Sequence, residues 1–172
     1  LVVIKMEKEA LNYIVTQNSI NTNVFAKSVV NILFKNGGNL RSSKVDTKDM
    51  ISMLEPLQAK GLVYADAILL SSKPQINGTI LASIADDRNN SEFKRYSEKI
   101  DPEELEKIKS HAGSFREFII QNEYIEFIST GSIHGGSPVC ITRIIVDKTT
   151  ALSAFHEIRK YANIASIVLM IT

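Results

Sequence analysis

The side chains best suited to gripping a polyanion gather in two stretches. Arg41, Ser42, Ser43 and Lys44 precede a predicted helix whose outward positions include Thr47, Lys48, Ser52 and Gln58, and Lys73, Gln75 and Asn77 stand at the tip of a predicted hairpin. Hydroxyls, amides and cations of this kind hydrogen-bond phosphate oxygens and base edges. The helical part is not itself basic: across 46–60, Lys48 and Lys60 stand against Asp46, Asp49 and Glu55, a net charge of −1. Counterion release there would be small, so "RSSK" and the hairpin tip would have to supply the affinity.

Catalytic chemistry has fewer footholds. "STGSIHGGSPVC" (129–140) is rich in glycine but lies between two predicted strands and contains neither Gly-Lys-Ser/Thr nor a G-x-G-x-x-G that opens a helix, so a hairpin connection accounts for it. His134 and Cys140 are a conceivable base and nucleophile, yet Cys140 falls in an apolar strand where a core role is the simpler assignment. His111 and His156 have no second ligand at metal-binding spacing, and Glu103, Glu104 and Glu106 belong in the first turn of a helix, where the helix dipole favours them. No catalytic residue, metal site or cofactor is assigned.

Composition narrows the remaining classes. The 172 residues are 44% hydrophobic and 23% charged, ordinary for a folded chain, and a net charge of +1 excludes a protein that coats nucleic acid wholesale. A single cysteine, Cys140, allows no intramolecular disulfide and suits a reducing cytoplasm. The opening "LVVI" is shorter than the apolar core of a signal peptide, and no run approaches the roughly 20 residues that span a bilayer, so no membrane partner is expected.

The elements that must position these residues follow from periodicity. Met6, Ala10, Tyr13, Ile14 and Val15 predict a helix over 5–18, "NSINTN" a break, and Phe25, Val29, Ile32 and Leu33 a second helix over 23–36 that ends at Gly37-Gly38. A third helix begins at Asp46 or Thr47, carries Met50, Leu54 and Leu57 on one face with Pro56 inside it, and stops at Gly61. Leu62–Leu70 and Thr79–Ile84 are strands, and Asn77-Gly78 between them suits a tight hairpin turn. "DDRNNSEFKRYSE" marks a boundary between a unit at 1–90 and another at 91–172. The second unit opens with a helix capped by Asp101 and Pro102 in which Leu105, Ile108, Ala112, Phe115 and Ile119 face inward, with a bend at Gly113. "EYIEFIS", "VCITRIIV", a helix over 149–163 carrying Leu152, Phe155 and Ile158, and the apolar strand "ASIVLMI" complete it, the last three as a right-handed parallel strand-helix-strand unit. A chain ending directly after such a strand is expected to continue beyond Thr172.

Over residues 23–85 the order helix, short turn, helix, glycine, strand, turn, strand, with "ISMLEPLQAKGLVYADAILL" at its centre, resembles the winged helix-turn-helix superfamily. In that arrangement the leucines hold the third helix to the core and the glycine turns the chain into a two-stranded wing. The resemblance implies an α+β protein: an N-terminal winged helix with an extra leading helix, then a small α/β domain for sensing or dimerisation. It also implies a cytoplasmic, dimeric transcriptional regulator bound to double-stranded DNA. A winged helix that docks a protein partner within a larger complex is the alternative, favoured by the acidic third helix. The first amphipathic helix is a candidate dimer contact.

Overall fold

Residues 2–35 form one unbroken helix, α1 (Val2–Lys35), where two helices and a break are expected. The polar stretch stays helical because its side chains turn back onto the helix. Asn18 Nδ2 donates to the Ile14 carbonyl at 3.0 Å and Thr22 Oγ1 to the Asn18 carbonyl at 2.6 Å, each four residues back. The sheet then holds this stretch from outside: Thr22 is buried and its carbonyl accepts a bond of 3.1 Å from Thr142 Oγ1. Tertiary packing thus overrides a local preference for a turn. The computed structural model describes residues 2–35, 47–58, 60–85, 99–119, 123–133, 136–157 and 160. The expected helix end at Gly37-Gly38, the boundary segment at 86–98 and the final strand lie outside the described residues.

The second helix, α2 (Thr47–Gln58), agrees with expectation: Leu54 is buried, Leu57 partly so, and Pro56 lies inside it. Gly61 follows at φ +94°, and a Cβ there would stand 3.1 Å from both the Asp147 carbonyl oxygen and the Ala151 nitrogen. Conformation and close approach therefore both require glycine at this exit. Strands β1 (Leu62–Leu69) and β2 (Ile80–Ala85) pair antiparallel as expected. Their connection is a ten-residue excursion over 70–79 and not a two-residue turn; Gly78, at φ +82°, donates its N–H to the Leu69 carbonyl at 2.9 Å.

This hairpin does not stand apart as a wing. It belongs to a five-stranded sheet in the order β2-β1-β5-β4-β3, where β3 is Phe115–Ile119, β4 Glu123–Ser132 and β5 Pro138–Asp147. Every pairing among the described strands is antiparallel, and the parallel unit expected near the C-terminus would involve residues outside those described. Along its whole length β1 pairs with β5, from Leu62 opposite Val146 to Leu69 opposite Cys140, so strands from before and after the expected boundary share one sheet. All eight β1 residues are buried, as a strand flanked and covered on both sides should be. The α+β class stands.

α1 and α2 cover one face of the sheet. Phe25, Val29, Val30, Leu33 and Leu54 pack there with Ala65, Ala67, Phe127, Cys140 and Ile144. A short helix, α3 (Pro102–Ser110), covers part of the other face through Leu105 and Ile108 against Ile68, Ile128 and Ile141. The longer helix expected here ends early: Gly113 adopts φ +83° and donates to the Ile128 carbonyl at 2.8 Å, after which the chain becomes β3. Phe115 and Ile119 are four residues apart, a spacing that one face of a helix and one face of a strand satisfy equally. Pairing with β4 decided the matter, and the two side chains are exposed at 43% and 74%. A last helix, α4 (residues 148–157), buries Ala151 and partly buries Leu152 and Phe155, with Asp147 Oδ1 accepting from the Thr150 N–H at 2.6 Å near its start.

Candidate functional site

Of the residues expected to meet DNA, those described lie on two elements, α2 and the 70–79 connection. Arg41, Ser42, Ser43 and Lys44 lie outside the described residues, and Thr47 and Gln58 contribute only their places at the two ends of α2. Lys48 and Ser52 are exposed on α2, with Ser52 Oγ turned back to the Asp49 carbonyl at 3.0 Å. Lys73 and Gln75 are exposed in the 70–79 connection. Asn77 is committed to that loop, its Oδ1 accepting the Ser71 N–H at 3.1 Å, and Lys99 Nζ pins the same loop by donating to the Pro74 and Gln75 carbonyls at 2.9 and 3.2 Å.

Two features went unnoticed in the sequence. The first is an ionic ladder across four strands, on the face away from α1. Arg143 of β5 grips Asp66 of β1 bidentately, Nε to Oδ1 at 3.0 Å and Nη2 to Oδ2, and its Nη1 stands 3.7 Å from Glu126 Oε1 of β4. Arg116 of β3 closes the ladder through Nε to Glu126 Oε2. Tyr64 donates its hydroxyl to Asp66 Oδ2 at 2.9 Å, and the Arg143 guanidinium lies 5.7 Å from the centre of the Tyr64 ring. Two cations thus balance two anions, and Asp66, Glu126 and Arg143 are at most 2% exposed. Burial pulls the Arg143 pKa down, but Asp66 at bonding distance more than reverses it, so the net direction is up. Burial first, and the Asp66 charge second, push the Tyr64 hydroxyl far above its ordinary range. Among the described residues every buried side-chain nitrogen and oxygen has a partner. The ladder is therefore a fastening, with no group held in reserve for a substrate. Its sequence signal was available: a lone charge in each of the apolar runs "YADAIL", "YIEFI" and "ITRII".

The second feature is a cleft of about 650 Å³ at one end of the same face. Its wall comes from the 70–79 connection (Leu70, Ser71, Asn77), from the end of α3 (Lys109), from β4 (Thr130) and from the entry to β5 (Ser137, Val139). Hydroxyls and an amide converge over an apolar floor, with one ammonium at the edge, where Lys109 Nζ is 2.6 Å from Glu106 Oε1. Clefts of this size and lining hold small organic molecules, the apolar floor supplying affinity and the few polar groups orientation. Among the described residues expected at the site, Asn77 borders this cleft.

The remaining chemical candidates resolve simply. Cys140 is buried, its Sγ pointing at the Ala26 carbonyl at 3.9 Å, and burial pushes its thiol up to about 11, so it is no thiolate at neutral pH. His134 lies outside the described residues. His111 ends α3, where its Nδ1 is 2.9 Å from the Lys107 carbonyl oxygen. Among the described residues no three acidic, histidine or cysteine side chains cluster as a metal site, and no helix is long and apolar enough to cross a membrane. No protein-family model, curated protein or solved structure matches this chain, so its function must be argued from the site alone.

Proposed function

We propose that this chain is a ligand-sensing module: the cleft takes a small organic acid or polyol, and the state of the cleft is passed through the β4–β5 hairpin to α1. One juxtaposition carries this. Thr130 lines the cleft on one face of the sheet, while its neighbour Gly131 and that residue's cross-strand partner Cys140 meet α1 on the other. A Cβ at Gly131 would lie 2.5 Å from Val30 Cγ2 and 2.9 Å from the Ala26 carbonyl oxygen, so α1 rests directly on the strand end. A shift of that strand end by a few tenths of an ångström cannot be absorbed there without moving the helix. Ligand chemistry follows from the lining: Ser71, Thr130 and Ser137 hydrogen-bond hydroxyls, and Lys109 attracts a carboxylate if it exchanges partners with Glu106.

Thermal unfolding of the chain, followed by circular dichroism against a panel of small carboxylates and sugars, tests this. A true ligand at a hundred times its Kd stabilises the fold by about 2.7 kcal/mol. Lys109→Ala and Thr130→Val should abolish the shift while leaving the ligand-free midpoint nearly unchanged, since Lys109 and Thr130 are only partly buried. No shift with any class, or a shift that survives both substitutions, refutes the proposal.

Duplex DNA is the alternative partner, with transcriptional regulation as its consequence, and exposed Lys48 and Lys73 are its support. It is the weaker of the two because β1, half of the would-be wing, is an interior strand. Binding that weakens steeply with salt and is lost in a Lys48→Glu, Lys73→Glu double variant would favour DNA.

A further inference from the structure

The outward side of α1 carries a second pattern that the sheet does not use. Tyr13, Gln17, Ile20, Val24, Lys27, Asn31 and Phe34 recur at alternating steps of four and three residues, and all seven are exposed. The four apolar members are large: Tyr13 43%, Ile20 51%, Val24 50% and Phe34 46% exposed. The buried stripe of Phe25, Val29 and Leu33 lies on the opposite side of the helix. Alternation of four and three is the period of a two-stranded coiled-coil seam, whereas packing on a sheet needs only the ordinary helical period.

We propose that this seam seats the same seam of a second copy of the chain, the two α1 helices running parallel and in register. Two observations select a second copy. Asn31 occupies the seam position at which a lone asparagine pairs with its own counterpart and so sets both a parallel register and a two-stranded state. The flanking positions Thr16, Asn21, Asn23 and Ser28 are uncharged, so like-charge repulsion between identical helices is confined to Lys27 in the seam and Lys35 at its end. From Tyr13 to Phe34 the seam is about 32 Å long at about 1.5 Å per residue, and with a contact strip about 10 Å wide it buries roughly 640 Å² over the two helices. That is below the roughly 1,000 Å² of a stable specific interface, and Lys27 within the seam weakens it further. The pair is therefore of modest affinity and reversible. Tyr13 reaches it with one side of its ring already against Phe155, 5.2 Å between centroids, so the seam touches α4 as well.

Sedimentation velocity of the whole 172-residue chain, from about 1 µM to about 1 mM, spans the affinities such an interface supports. A monomer–dimer equilibrium is expected. Ile20→Glu and Val24→Glu should each weaken it at least about tenfold, because every substitution counts twice across a two-fold axis. Lys27→Leu should tighten it. Both acidic variants change half-exposed positions, and unchanged circular dichroism verifies that they fold. Ile20→Cys should cross-link under mild oxidation, since a parallel, in-register pair brings the two thiols opposite each other, while the native Cys140 is buried and does not compete. A chain that stays monomeric throughout, or a dimer indifferent to both acidic substitutions, overturns the proposal. A dimer that responds to them but fails to cross-link at position 20 overturns the parallel register.

Discussion

Replacing Arg143 with methionine tests how much the buried ladder contributes. The substitution keeps much of the side-chain volume but strips Asp66, 0% exposed, of its bonded cation and leaves it the Tyr64 hydroxyl. Glu126 still has Arg116. Removing one member of a buried ion pair leaves the other as an uncompensated buried charge, at a cost of roughly 3–5 kcal/mol. Adding Asp66→Asn to Arg143→Met should recover most of that loss, because the stranded charge is then gone. Urea unfolding monitored by circular dichroism at 222 nm is the appropriate assay, because the chain has no tryptophan. A loss below about 1 kcal/mol, or no recovery in the double variant, would show that the electrostatic reasoning is mistaken.

Gly131→Ala should destabilise the fold by about 1–3 kcal/mol through overpacking, and Val30→Ala should rescue it only in part, because the Ala26 carbonyl oxygen, 2.9 Å from the new Cβ, is backbone. The Cys140 thiol, raised from 9.0 to about 11, keeps its proton in the folded state when the unfolded chain has lost it. Its contribution is intact below pH 9 and falls by at most about 3 kcal/mol as pH climbs to about 11; comparing wild type with Cys140→Ala across that window isolates it. Lys148 Nζ joins Glu117 of β3 and Glu123 of β4 at 3.0 and 3.1 Å, and its bond to Glu117 is the chief reason its pKa is raised. Lys148→Met should cost no more than about 1 kcal/mol at neutral pH, and less in high salt; the difference from wild type should fade as pH rises through and beyond 10.5.

Much of the local structure is written in short-range pattern. Leucines at helical spacing followed by Gly61 announce α2 and its exit, because a left-handed residue is what such an exit needs. The alternation and β-branched residues of 62–69 and 139–146 announce β1 and β5, and glycines between them and their neighbours announce hairpins. Where two local preferences tie or conflict, partners from elsewhere in the chain choose between them. Asn18 to Asn23 favours a turn and yet is helical, because the sheet supplies Thr142 as a partner for the Thr22 carbonyl. Phe115 to Ile119 fits helix and strand alike, and an edge of β4 was free to take it.

The candidate site was legible only at Asn77, for the same reason. Its other residues are ordinary one by one: serines, a threonine and a lysine acquire meaning only when the 70–79 connection, α3 and the β4–β5 hairpin end side by side. Composition and periodicity are properties of a segment, so they could specify class, elements and charge. The neighbour of β1 is a property of two segments, sealed by the Arg143–Asp66 pair across 77 residues of chain. That long-range pairing, and not any local signal, turned an expected free wing into the second strand of one continuous sheet, because burying both faces and both edges of β1 removes far more apolar and polar surface from water than a two-stranded flap does.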